Sequence, residues 1–200
     1  CILMALSLHE RCLLFFNLAY IFGFTLYYIS IKNFEFMIYI AIMLFFFVLI
    51  ATTLQKTRFN HWILWGLSLW GLLHMMGGGV RVGGNVLYAF ELFPLWVTEN
   101  FYVLKYDQFV HAYLYFVVVF VIWSLLQSYL KKEIPSWAIY LVLILMSVGV
   151  GALNEIAEFI AVLSFEETGV GGYYNTAWDI VFNTFGALIG VIVLHFLRRR

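Results

Sequence analysis

Six apolar runs, each close to the length of one membrane-crossing helix, set the limits on what this chain can fold into. They cover residues 13–31, 36–54, 62–80, 108–130, 134–163 and 178–197, and charges fall between them except for Glu155, Glu158 and Asp179. A hydrocarbon core takes about 20 helical residues to cross. Lipid offers no water to satisfy an open strand edge, and a closed barrel would show alternation instead of unbroken apolar runs. The expected fold class is therefore all-α, an integral membrane bundle of six transmembrane helices. The fifth run is long for one span, so it is expected to tilt or protrude. No repeat is evident at a solenoid period. Residues 1–200 read as one transmembrane domain, with two peripheral helices over 12–54 and a four-helix core over 60–197.

Composition narrows the classes further. The chain is 64% hydrophobic and 11% charged, against about 25% charged in a soluble domain. Eleven Lys and Arg balance eleven Asp and Glu, which leaves no basic surface for nucleic acid. Cys1 and Cys12 match neither a disulfide framework nor a metal-site spacing. Residues 1–11 read as a truncated start and not as a signal peptide, because no small-residue cleavage site accompanies Glu10 and Arg11.

Lys and Arg are retained on the cytoplasmic side of a membrane. With the N-terminus inside, the inner segments hold eight of them (Arg11, Lys56, Arg58, Lys131, Lys132, Arg198, Arg199, Arg200) and the outer ones three (Lys32, Arg81, Lys105). Both termini are expected in the cytoplasm. The outer loops are then 32–35, 81–107 and 164–177, the last carrying Glu166, Glu167, Gly169, Gly171 and Gly172. In loop 81–107 a short interfacial helix is expected around residues 88–96, where Tyr88, Phe90, Phe93 and Trp96 suit the headgroup region and Pro94 limits helix length.

The ionisable residues are distributed unevenly. The first two runs hold almost none, whereas the later four segments hold His74, Asp107, His111, Glu155, Glu158 and Asp179, with Asn154, Asn175 and Asn183. A charged group at mid-membrane costs at least about 2.5 kcal/mol, so such residues face the bundle interior and mark sites. Asp107 and His111 are i,i+4, as are Asn154 and Glu158, and Asn175, Asp179 and Asn183 continue the same step. Each set therefore lines one helix face. With a rise of about 1.5 Å per residue, His74 lies about 18 Å up its helix and Glu155 about 28 Å along its own, which places all the polar groups in the outer half.

Two imidazoles and several carboxylates meeting in low dielectric read either as a metal site or as acid/base pairs. Zn, Mn or Fe suits this donor set. In the metal reading His74, Asp107, His111 and Asp179 hold a divalent ion, and Glu155 or Glu158 activates water. Asn154, Asn175, Asn183 and Arg81 are supporting polar groups. The substrate would be a lipid or lipid-linked envelope molecule reached from the outer leaflet. Two alternatives stand beside it: a non-catalytic envelope or assembly factor whose polar core is structural, and a proton-coupled transporter relaying through the carboxylates. The absence of an inverted repeat weighs against the second. Gly77 to Gly84, with Arg81, reads as a flexible helix exit in preference to a phosphate loop. Gly186 and Gly190 read as a close-packing face, and His61 and His195 as interfacial. No serine sits in a nucleophile elbow. Protein partners are not indicated.

His74-Met75-Met76-Gly77-Gly78, Tyr106-Asp107-x-x-x-His111, Asn154-Glu155-x-x-Glu158 and Asp179-x-x-x-Asn183-x-x-Gly186-Ala187 together resemble the YjdF family of bacterial inner-membrane proteins, whose activity is not established. The resemblance covers roughly residues 60–195 and implies a multi-pass protein of the bacterial inner (plasma) membrane. The last four segments are also similar to the VanZ-like family, which is associated with glycopeptide-antibiotic tolerance. This chain differs in carrying Glu158 where Gln is usual there, and in its two extra N-terminal helices.

Overall fold

The computed structural model describes residues 7–57, 59–99, 102–127, 129–130, 136–164 and 172–199. Cys1, four members of the charge count (Arg58, Lys131, Lys132, Arg200) and the loop residues Glu166, Glu167, Gly169 and Gly171 lie outside the described residues. Six long helices run in order: α1 (Leu8–Ser30), α2 (Phe34–Thr57), α3 (His61–Gly79), α4 (Tyr106–Leu126), α5 (Ser136–Ser164) and α6 (Tyr173–Arg198). Five of them, α1, α2, α4, α5 and α6, are long and apolar enough to cross a membrane.

Local chemistry sets the helix ends. Ser7 starts α1 with a reciprocal cap: its hydroxyl accepts from Glu10 N at 3.3 Å while its own N–H donates to Glu10 Oε2 at 2.7 Å. The tight link to α2 places Lys32 at φ 55, and Asn33 Oδ1 then accepts from Phe36 N at 3.1 Å.

Between α3 and α4 the expected interfacial helix is replaced by strands, which corrects the expectation for that loop. β1 (Arg81–Val82) pairs antiparallel with β2 (Asn85–Val86), and β3 (Glu91–Val97) with β4 (Tyr102–Lys105). Among the described residues there, only a single 3-10 turn, Leu87–Ala89, is helical. Gly83 and Gly84 have φ 60 and 90, the pair of positive values that a two-residue hairpin loop requires. Pro94 cannot donate within a helix interior, but an edge strand of a two-stranded sheet tolerates it. Gly77–Gly79, expected to be a flexible exit, are instead helical and buried. A Cβ at Gly77 would strike the Tyr88 ring and one at Gly78 the Phe36 ring, so these glycines let aromatic rings close on α3.

Helix α4 is the hub, packed against α3, α5 and above all α6, while α1 contacts α2 and α3. The α4–α6 contact depends on Gly186 and Gly190. A Cβ on Gly186 would overlap the Ala112 carbonyl oxygen, and one on Gly190 would come within 2.9 Å of the Phe116 carbonyl oxygen. Both pairs advance by four residues, so two helix backbones approach along a whole turn. One apolar core gathers Tyr28, Phe36, Met75, Tyr88 and Val110; another gathers Tyr115, Val119, Leu143, Ala187 and Val191. Asn17 ties α1 to α3, donating to Leu13 O at 2.8 Å and Ser68 Oγ at 2.7 Å and accepting from Tyr20 Oη at 2.8 Å. An unsatisfied amide in lipid costs several kcal/mol, so this network stabilises one arrangement of those helices.

Candidate functional site

The first turn and a half of α4, the distal third of α5 and the first half of α6 meet on the hairpin side of the bundle. Their four-residue steps aim Asp107 and His111, then Asn154 and Glu158, then Asn175, Asp179 and Asn183 towards one another. Close backbone approach makes the meeting possible. Besides Gly186 and Gly190, Gly151 on α5 matters, since a Cβ there would sit 2.7 Å from Asn183 Nδ2.

His111 is at the centre and its two ring nitrogens face different partners. Nε2 lies 3.6 Å from Asp107 Oδ1 and 4.0 Å from Asp179 Oδ1. Nδ1 lies 2.9 Å from Asn183 Oδ1 and 3.9 Å from Glu155 Oε1. Asp179 and Asn183 are each 1% exposed, Glu155 8% and His111 9%. Around them, Asn175 Nδ2 donates to Asp179 Oδ2, and Asn154 Nδ2 donates to Glu158 Oε1 at 2.9 Å. Both oxygens of Glu155 and Oδ1 of Asp179 lack a hydrogen-bond partner among the described residues.

Two donor groups therefore share one imidazole: Asp107, His111 and Asp179, and His111, Glu155 and Glu158, each with its ligand atoms within 4.8 Å of one another. Donors about 2.0–2.2 Å from a tetrahedral ion stand about 3.3–3.6 Å apart, close to the His111–Asp107 separation. Up to four negative charges face a single imidazole, an imbalance that a bound cation offsets.

His74 does not join either group. Its Nδ1 meets the Tyr88 hydroxyl, and its ring stacks on Trp70 with centroids 5.3 Å apart, flanked by Phe36 and Tyr39. Burial, reinforced by the nearby Asp107 and Glu158 charges, pushes the Tyr88 hydroxyl well above its ordinary value. The same hydroxyl lies 3.2 Å from the His74 carbonyl oxygen, so Tyr88 engages both the ring and the backbone of His74. His74 thus lies against Tyr88 and outside both donor groups. Arg81 is also remote from the cluster: it is exposed and its Nη1 donates to Gly84 O at 3.2 Å within its own hairpin.

His74 and Tyr88 nevertheless share a cavity of about 20 Å³ with Asp107, His111, Asn154 and Glu158. That volume suits about one water-sized molecule, with several polar partners in reach. Tyr88 is the member that sequence reasoning missed. Its signal was the Gly77–Gly79 run, since three successive helical glycines leave a groove for a ring.

No curated protein and no solved structure matches the chain. The family model described as "Predicted membrane protein (DUF2238)" matches residues 12–200, which takes in both hairpins and all or most of every helix. The chain belongs to this family of membrane proteins, DUF2238.

Proposed function

We propose that the chain is a multi-pass protein of the bacterial inner membrane, related to the YjdF and VanZ-like proteins it resembles, with α3 as a sixth span and both termini cytoplasmic. In this reading the cluster faces outward as a divalent-metal site acting on a lipid or lipid-linked envelope molecule. The observation that carries it is the division of labour on the His111 ring. Nδ1 donates to Asn183 Oδ1 at 2.9 Å, so in the neutral ring the lone pair lies on Nε2, the nitrogen that faces Asp107 and Asp179. Metal-ligating histidines are held by just such a bond from the other ring nitrogen. Asn175 holds Asp179 by Oδ2 and leaves Oδ1 turned towards His111.

A divalent ion at Asp107, His111 and Asp179 would supply Lewis acidity to an oxygen beside it. Glu158, held by Asn154 and lining the one-water cavity, is placed to take a proton from that oxygen. Glu155 presents two unengaged oxygens on the opposite side of the imidazole. Phe36, Tyr39 and Trp70 give the cavity an aromatic wall.

Elemental analysis of the purified chain tests the reading. It expects about one divalent ion per chain, lost in Asp179→Asn and His111→Ala proteins that retain their helicity. A fully folded parent that binds no Zn, Mn or Fe on titration would overturn it.

A further inference from the structure

A second opening lies between α5 and α6 at the level of the cluster. It is a crevice of about 530 Å³ with Glu155 and Glu158 on its floor and Phe159, Val162, Ala177 and Ile180 among its walls. Phe159, Val162 and Ile180 are also exposed on the flank of the bundle, on helices apolar enough to be immersed in lipid. The crevice has the size of a small-molecule pocket, and its apolar walls are carried by two helices long and apolar enough to cross a membrane. No Lys or Arg is among the described residues that line it. Glu155 is buried, and neither of its oxygens has a hydrogen-bond partner among the described residues.

These features select a ligand. The apolar walls favour acyl chains, whereas two carboxylates without a lining cation disfavour a headgroup that is only a phosphate. What complements them is positive charge carried by N–H donors, because charge-assisted hydrogen bonds to carboxylates are the strong ones. We propose that the α5–α6 crevice binds a lipid with a primary ammonium headgroup, its chains against Phe159, Val162 and Ile180 and its ammonium on Glu155 and Glu158. This rests on the lipid-directed reading of the site above, but not on its metal. The ion would take Asp107 and Asp179 on the Nε2 side of His111, whereas Glu155 stands on the Nδ1 side.

The test is native mass spectrometry of the full chain in detergent, titrated separately with phosphatidylethanolamine, phosphatidylcholine and phosphatidylglycerol. The ethanolamine lipid should bind about tenfold more tightly than the other two, because choline has the charge without N–H donors and glycerol has neither. Glu155→Gln together with Glu158→Gln should erase that preference, and Ala177→Trp should block all three lipids. Ile180→Trp replaces it if circular dichroism shows that the Ala177 variant has lost helix. Asp107→Asn should keep the lipid preference while losing metal, which separates failure of this inference from failure of the metal reading. Equal or tighter binding of phosphatidylglycerol would overturn the proposal in favour of phosphate recognition. So would a preference that survives both Glu→Gln changes.

Discussion

Asn183 Oδ1 accepts from His111 Nδ1 at 2.9 Å across the α4–α6 contact, joining two residues 72 positions apart in the chain. That bond selects the tautomer and aims Nε2 at Asp107 and Asp179. Asn183→Leu should lower metal affinity about 10–100-fold, the usual effect of removing an outer hydrogen-bond partner. Competition with a chelating dye measures it; unchanged affinity would show that the tautomer is fixed by something else.

His111→Ala distinguishes a working site from a structural one. If the imidazole chiefly pairs carboxylates to hold helices together, its loss leaves buried charge at a cost of about 3–5 kcal/mol, and the unfolding temperature falls steeply. The metal reading expects loss of the ion first, with the metal-free parent and the variant unfolding at similar temperatures in detergent.

His74→Ala should retain the metal, because His74 stands outside both donor groups and its Nδ1 is engaged by Tyr88. Tyr88→Phe should lower stability by about 1–3 kcal/mol, since it leaves the His74 ring nitrogen without its hydrogen-bond partner. Metal content and thermal unfolding read both. Metal loss in His74→Ala as complete as in His111→Ala would restore His74 as a ligand.

Gly186→Ala should destabilise the protein by about 1–3 kcal/mol, as overpacking does, because the new methyl meets the Ala112 carbonyl. Gly149→Ala is the control: its Cβ would have nothing within 4 Å, so stability should hold or rise by up to about 1 kcal/mol through helix propensity. Thermal melts of the two variants should diverge in opposite directions.

A topology reporter inserted at the Gly83–Gly84 turn should be read as extracytoplasmic, and one at the C-terminus as cytoplasmic. Finding the hairpin in the cytoplasm would reverse the proposed orientation and with it the direction from which a lipid reaches Glu155 and Glu158.

Much of the fold was legible in the residue order, because lipid is a simple solvent: an apolar run of about 20 residues has few options other than a helix. Four-residue spacing likewise foretold which polar groups share a helix face, as Asn175, Asp179 and Asn183 do on α6. The segment between α3 and α4 was not legible. Its aromatic residues fit both an interfacial helix and a hairpin, and the choice turned on Pro94, on the Gly83–Gly84 turn and on strand pairing that no local pattern specifies.

The sequence by itself determined the membrane setting, the run of apolar helices and the polar residues that share a helix face, because each follows from local composition and helical period. Only the tertiary structure decided which of them meet. Gly186, Gly190 and Gly151 let three backbones close until His111 lies between Asp107, Asp179, Asn183 and Glu155. The same packing turned His74 towards Tyr88 and away from that group. Helix period fixes the face on which a residue lies, but its partner depends on how closely, and at what rotation, two helices pack.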